Sequence, residues 1–415
     1  MPGRAARPRS LVRMEHTVLG DLISVWWIAL AAMAAPLLAS LTRKKVPDVV
    51  WLLVLGAVIG PDGLGLAVQT QGITLVREIG LGLLFLLAGL EIDPAAMRSR
   101  QGRSAATTWM LCLALGIGAG LMIVQGNPRA AIVLGIASTS TALGTLLPMM
   151  QDAGATGTRL GSATLVHGAL GELGPIIAMA LLLSSKATWA SALVLIGFAI
   201  AAALLVALPV RLFRRIPALG GAIEAGVNTS MQTTMRLSML ILITLMTLSG
   251  LLDLDMTLGA FMAGMLIGRL MLHGDEEFVG KVQVLGFSFL IPVFFVTSGM
   301  AIDVGTVSTE LGALAAFVVT ILLVRGLPVF LREQFTDTGL GLTTVKERIA
   351  LGLYASAGLP IIVAVTEIAV EAELLTEQQS SVMVAGGALT VLLFPLLAGV
   401  LTRDATPAER TPVEA

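Results

Sequence analysis

Charge is scarce in this sequence. Asp, Glu, Lys and Arg make up 13% of its 415 residues, about half the share expected of a soluble domain. Hydrophobic residues make up 56%, and mean hydropathy is +0.91. A water-soluble globular chain is thereby excluded, and an all-α polytopic membrane protein is expected. Cysteine is scarcer still: the single Cys112 rules out an intrachain disulfide and a Cys-based metal cluster, and its place inside an apolar run reads as packing. Three histidines leave too little for a dedicated transition-metal site, so no cofactor and no resident metal are expected. The net charge of -1 favours no class of partner, and no nucleic acid is expected. Glycine, by contrast, is abundant at 45 residues, and small residues let membrane helices approach closely or break where a site needs irregular backbone.

After an N-terminal tail over 1–17, apolar spans fall at about 18–40, 46–60, 73–92, 104–124, 128–150, 160–184, 188–210, 232–251, 255–272, 278–300, 311–331, 348–370 and 379–401, thirteen in all. A short tail, 403–415, follows. Cytoplasmic loops gather Lys and Arg, and alternate loops here do separate. One side holds 18 of the 26, from Arg43, Lys44 and Lys45 through Arg98, Arg100, Arg103, Arg159, Arg211, Arg236, Arg332 and Arg348 to Arg410. The other holds Arg77, Arg129 and Lys186; Arg325 lies within a span, and four Arg lie in the first 13 residues. The expectation is a multi-pass protein of the cell (inner) membrane, with the C-terminus cytoplasmic and the N-terminus outside. That orientation leaves the four Arg on the disfavoured side, so Met14 reads as the start. A signal peptide competes, because AMAAPLLAS supplies small residues, but cleavage there would strand Arg43, Lys44 and Lys45 on the translocated side.

The spans repeat. LAGLEID at 87–93 matches TSGMAID at 297–303, pairing Gly89, Ile92 and Asp93 with Gly299, Ile302 and Asp303; GAVIG at 56–60 matches GMLIG at 264–268. Both matches are seven spans apart, and an odd offset makes the two copies cross in opposite directions. An inverted repeat follows, with a first half over about 18–184, a linker helix over about 188–210 and a second half over about 232–401.

In inverted repeats, corresponding helices are interrupted near mid-membrane and turn their freed ends to an ion. The fifth span reads GIASTSTALGTLLPMM, with Ser138, Thr139, Ser140 and Thr141 in a row and Pro148 beyond; the twelfth reads LYASAGLPIIVAVTEIA, with Gly358 and Pro360. Both are predicted to be interrupted and to cross. Hydroxyls, carbonyls and a carboxylate are the oxygen ligands that a hard monovalent cation needs; the competing reading of the four hydroxyls is bonding back to their own helix. The carboxylate is Glu172, midway along the sixth span, LGSATLVHGALGELGPIIAMALLLS. At that depth burial disfavours the charged form, so the group can hold either a proton or a cation. A bland alternative is a Glu that bonds a neighbouring helix.

Other polar residues are weighed beside it. Arg325 reads as a structural cation that pairs an acid or a helix C-terminus, or else as a snorkelling side chain. His167, five residues before Glu172, reads first as a hydrogen-bonded interface residue and second as a proton relay. Glu367 sits near the outer end of its span, in an access funnel or solvated. Glu91 and Asp93, at a helix end, read as capping and loop packing.

The chain resembles the monovalent cation:proton antiporter superfamily, in particular its second branch of Kef-like and Nap-like sodium/hydrogen exchanger domains. LGLLFLLAGLEIDP at 81–94, ASTSTALGTLLPMMQDAG at 137–154, GELGPI at 171–176, IPVFFVTSGMAID at 291–303 and VRGLP at 324–328 carry the resemblance, which runs from about 18 to 402. It implies a thirteen-helix fold with a dimerisation part and a mobile core, Glu172 as the ion- and proton-binding carboxylate, and Arg325 in the place of a basic residue of the core. Many relatives have Asp at the acid position, preceded by Asn, Asp or Gln; here the pair is Gly171-Glu172. With about thirteen residues after the last span, the nucleotide-binding regulatory domain of ligand-gated potassium efflux relatives is expected to be absent.

A secondary active transporter is therefore expected, not an enzyme, exchanging Na+ or K+ for H+ as a homodimer in the lipid bilayer. The alternatives are a potassium efflux antiporter without its regulatory domain, a cation channel, and an ion sensor on the same fold. A channel calls for a continuous polar pore face and a sensor for a soluble output domain, and the sequence offers neither.

Overall fold

The computed structural model describes residues 18–42, 46–92, 97–124, 127–152, 157–183, 188–215, 232–270 and 276–402. The Arg-rich tail with Met14, the loop residue Asp93 and the 403–415 segment lie outside the described residues. Among the described residues every regular element is a helix: α1 Val18–Leu41, α2 Asp48–Ile59, α3 Gln71–Glu91, α4 Arg100–Ile123, α5 Pro128–Ser138, α6 Leu143–Asp152, α7 Arg159–Ala178, α8 Thr188–Arg215, α9 Gln232–Leu251, α10 Met256–Leu270, α11 Glu276–Leu285, α12 Ile291–Met300, α13 Val304–Thr309, α14 Leu311–Ile321, α15 Leu327–Phe335, α16 Val345–Ala355, α17 Pro360–Glu371 and α18 Glu377–Thr402.

Ten helical stretches among the described residues are long and apolar enough to cross a membrane. Three shorter apolar helices, Asp48–Ile59, Trp189–Leu205 and Met256–Arg269, stand where the second, seventh and ninth spans were expected. The faces are sorted as a lipid solvent demands. In α1 the buried stripe is small, Gly20, Ser24, Ile28, Ala31, Ala35 and Ala39, while Val18, Leu22, Trp26, Leu30, Met33 and Leu37 point outward. Lipid rewards no burial of large apolar side chains, so close helix packing by small ones decides which face turns in.

The two pairs of matched motifs pack reciprocally. Gly56 of α2 lies against Val296 and Gly299 of α12, and Gly264 of α10 lies against Leu86 and Gly89 of α3. A Cβ on either glycine would come within 2.1 Å of a backbone carbonyl oxygen. Each sequence motif of one half thus rests on the counterpart of its neighbour in the other half. Around these contacts α1, α2, α3, α9, α10 and α12 form one packing group, and α4, α5, α7, α14, α15, α16, α17 and α18 form a second, with sparser contact between them.

Among the described residues three stretches widen into π-turns; Met179–Leu183 follows α7, and the other two share a common reason. Gly286–Leu290 joins α11 to α12, and Leu322–Gly326 joins α14 to α15. Each is followed two residues later by a proline, Pro292 or Pro328. A proline ring clashes with the carbonyl four residues back and offers no N–H, so the chain widens to bond five residues back instead, Ile291 to Gly286 and Leu327 to Leu322. Arg325 is carried on the Leu322–Gly326 turn.

Candidate functional site

The site forms where two broken helices cross. α5 ends at Ser138 and α6 begins at Leu143; α16 ends at Ala355 and α17 begins at Pro360. Sequence explains both breaks: β-branched and hydroxyl residues favour local bonds over the helix ladder in the first, and proline with glycine stops the second. The extended residues bond across the crossing instead. Ala142 N–H donates to Ala357 O at 2.8 Å, Thr141 N–H to Gly171 O at 2.9 Å, and the Thr141 hydroxyl to Ala355 O at 2.6 Å.

Glu172 projects from α7 into this crossing and is 5% exposed. Its Oε1 accepts the backbone N–H of Leu143 at 2.7 Å. Leu143 opens α6, so the carboxylate faces the positive end of a half-helix, where unsatisfied N–H groups and the helix dipole favour an anion. Its Oε2 has no hydrogen-bond partner. One oxygen is anchored and the other is free to take a proton or to ligate a cation.

Arg325 answers it at the other break. The guanidinium is fully buried, donates to the His167 carbonyl at 2.8 Å and to the Ala355 carbonyl at 3.4 Å, and lies 3.3 Å from the Thr141 hydroxyl and 4.0 Å from Cys112 Sγ. Ala355 ends α16, so the cation sits at a helix C-terminus, as one of the sequence readings has it. Its bonds run to carbonyls and a hydroxyl, and its burial excludes snorkelling. Gly171 completes the packing: a Cβ there would lie 2.1 Å from Thr141 Oγ1 and 2.9 Å from Arg325 Nη2. The polar side chain that many relatives hold before the acid has no room in this chain, because Thr141 and Arg325 fill the place.

The hydroxyl run divides. Ser138 bonds back to Leu134 O at 2.6 Å, Thr139 to Ile136 O at 3.0 Å and Ser140 to Ala137 O at 2.9 Å, while Thr141 reaches across. Back-bonding uses the proton of each hydroxyl and leaves oxygen lone pairs for a cation; Thr141, which also receives the Arg325 N–H, is the most committed of the four. Gly358 packs on Ser140 at the crossing and Pro360 opens α17.

His167 is buried with Nε2 3.6 Å from Glu333 Oε1, and the other Glu333 oxygen accepts the Thr338 hydroxyl at 2.6 Å. Sequence reading did not single out Glu333, since an acid near a helix end ordinarily faces water. Glu91 departs from its expected capping role: its Oε2 is buried without a partner, and the residue is near enough to Glu172 for the two charges to interact. Glu367 is part-exposed, with 35% of its side chain accessible, but it is not alone. It forms a bidentate ion pair with Arg77, which loop counting had placed among the sparsely charged loops and which the structure buries inside α3. Asp303, the repeat partner of Asp93, caps α13 through the Thr306 N–H and hydroxyl, which hold its carboxyl below the usual range.

The family description that matches this chain is "Sodium/hydrogen exchanger, transmembrane", over residues 28–402. YjbQ of Bacillus subtilis is 23% identical over 96% of this chain. The Na(+)/H(+) antiporter NhaS5 of Synechocystis is 27% identical, and the glutathione-regulated potassium-efflux system protein KefC of Cronobacter sakazakii 28%, each over 70% of this chain. The chain spans 65%, 42% and 46% of those three proteins' lengths. Its fold is similar to that of the sodium proton antiporter MjNhaP1 of Methanocaldococcus jannaschii, with a TM-score of 0.62 at 18% identity over 92% of this chain and 96% of that one.

Proposed function

Because the chain belongs to the sodium/hydrogen exchanger family of transmembrane proteins, we propose that it exchanges a monovalent cation, Na+ or K+, for H+ by alternating access around Glu172. One observation carries the reading: at the crossing of two broken helices a buried carboxylate has one oxygen held by a helix N-terminus and the other unpartnered. A proton and a cation compete for that oxygen, so binding one expels the other. Ser138, Thr139 and Ser140 supply further oxygens, and Arg325 holds the crossing rigid while the ligands change. With Glu172 alone exchanging its ligand, the exchange is electroneutral, one cation for one proton.

Exchange then falls at low pH, where protons saturate the carboxylate, and at high pH, where none is left to be carried back. The family relationship and the outward apolar faces support a homodimer in a cell membrane, oriented with the Lys- and Arg-rich loops in the cytoplasm. Vesicles loaded with a pH dye and challenged in turn with Na+, K+ and Li+ test the reading. Cation-dependent proton movement should appear in the wild type and vanish in Glu172→Gln, which keeps the shape of the side chain. Proton movement that survives in Glu172→Gln would refute the role of the carboxylate.

A further inference from the structure

The two ends of α3 are treated oppositely. At one end Glu91 and the neighbouring Glu172 each keep an unpartnered carboxylate oxygen. Fourteen residues earlier, roughly 21 Å along the helix axis, Arg77 is fully engaged. Its Nη1 meets Glu367 Oε1 at 2.6 Å, its Nη2 meets Glu367 Oε2, and Nη1 also meets Glu78 Oε1 at 2.7 Å. The guanidinium lies over the Phe294 ring, 5.5 Å from its centre. Its own side chain is 4% exposed, against 21% for Glu78 and 35% for Glu367.

This pair joins the two packing groups. Arg77, its partner Glu78 and Phe294 stand on α3 and α12; Glu367 stands on α17, which packs on α18 and α5. Motion of the group that holds Glu172 past the group that holds α3 has to separate them. Wholly buried, such a pair would be too costly to part, but Glu367 already reaches water. The single guanidinium serves two acids, Glu367 and Glu78, and Asp255 and Glu371 lie near enough for their charges to act on Glu78. Parting therefore leaves acids at the mouth, and an incoming monovalent cation compensates them as Arg77 withdraws.

We propose that the Arg77–Glu367 ion pair is the gate that closes the face of the molecule opposite Glu91, and that it parts each time Glu172 is presented to that face. The inference rests on alternating access around Glu172, yet its test needs no turnover. Cys112, the lone native thiol, is buried, so Cys112→Ala with Glu172→Cys leaves one reporter thiol at the site. A membrane-impermeant maleimide is applied in turn to intact cells and to inverted membrane vesicles. Adding Arg77→Gln should speed labelling from the Arg77 side and slow it from the other, changing the ratio of the two rates by about tenfold or more. Glu367→Gln, which leaves the buried guanidinium its bond to Glu78, should shift the ratio in the same direction and serves if Arg77→Gln does not fold. A pair that merely ties helices together would lower the yield or melting temperature of these variants with the ratio unchanged, and that result overturns the gate. Cation-driven proton movement by the wild-type protein is measured beside it, so failure of the exchange reading is seen separately.

Discussion

The two broken helices do the same thing with different chemistry. The first break is made of Thr139 to Ala142, the second of Ser356 to Leu359 with Pro360 behind it, and each leaves two half-helices end to end. Their exposed ends are then served by opposite charges. Glu172 meets the N-terminus of α6, and Arg325 meets the C-terminus of α16. A half-helix carries roughly half a charge at each end, so the acid and the base each answer the dipole they face. The difference teaches that the repeat preserves backbone geometry while leaving each half to find its own compensation. Of the two charged groups, Glu172 alone keeps an unpartnered acceptor atom, and under the proposed exchange that asymmetry is what turns the scaffold toward a cation.

Removing the basic half of the comparison should have the largest effect on stability. Arg325→Gln leaves the His167 and Ala355 carbonyls buried and short of partners, at about 3 kcal/mol. The expected readout is a clear drop in the melting temperature of the detergent-solubilised protein, with Arg325→Lys in between because an ammonium cannot reach all three partners. A melting temperature unchanged in Arg325→Gln would show that the second break needs no charge.

Filling the space between the halves comes next. Gly171→Ala puts a methyl group onto Thr141 Oγ1 and Arg325, and overpacking of this kind costs about 1–3 kcal/mol. Exchange should fall with it, because the crossing must shift to make room. Gly171→Ala with wild-type melting and kinetics would mean that Thr141 and Arg325 are loosely held.

The hydroxyls sharpen the comparison at lower cost. Thr139→Ala removes a back-bonded hydroxyl and should raise the apparent cation KM, with melting nearly unchanged. Thr141→Ala removes the bond to Ala355 and should instead lower stability by about 1 kcal/mol. Equal effects of the two on KM and on melting would erase the division between ligand and brace.

The smallest effect is expected at Asp303, where the second half caps α13. Asp303→Asn keeps a capping oxygen but loses the negative charge at the helix N-terminus, and should cost about 0.5 kcal/mol at neutral pH. The bonds from Thr306 depress the folded-state value, so the charged form's contribution is present above the ordinary carboxylate range and is lost as pH falls through the lower folded-state value. Wild type and Asp303→Asn should accordingly converge in acid; a gap that widens there would show that the carboxylate is not what caps the helix.

Much of this was legible in the residues. Proline, glycine and consecutive hydroxyls weaken a helix through local backbone chemistry, so both breaks could be placed to within a few residues. A carboxylate in the middle of a long apolar run is conspicuous for the same local reason. Arg77 and Glu333 were not legible, because acids and bases near helix ends look alike whether they face water or a partner. Their partners, Glu367 and His167, lie far away along the chain.

Composition and pattern alone determined an all-helical membrane protein, two breaks in its helices and a carboxylate within a long apolar run, since each follows from forces acting within one segment or from the solvent that surrounds it. Tertiary structure alone decided the charge partners: that Glu172 faces the start of α6, that Arg325 holds carbonyls in place of a carboxylate, and that Arg77 reaches Glu367 across the two packing groups. Those pairings depend on which helix ends meet when the halves interlock, and electrostatic contact between segments tens to hundreds of residues apart leaves no periodic mark in either one.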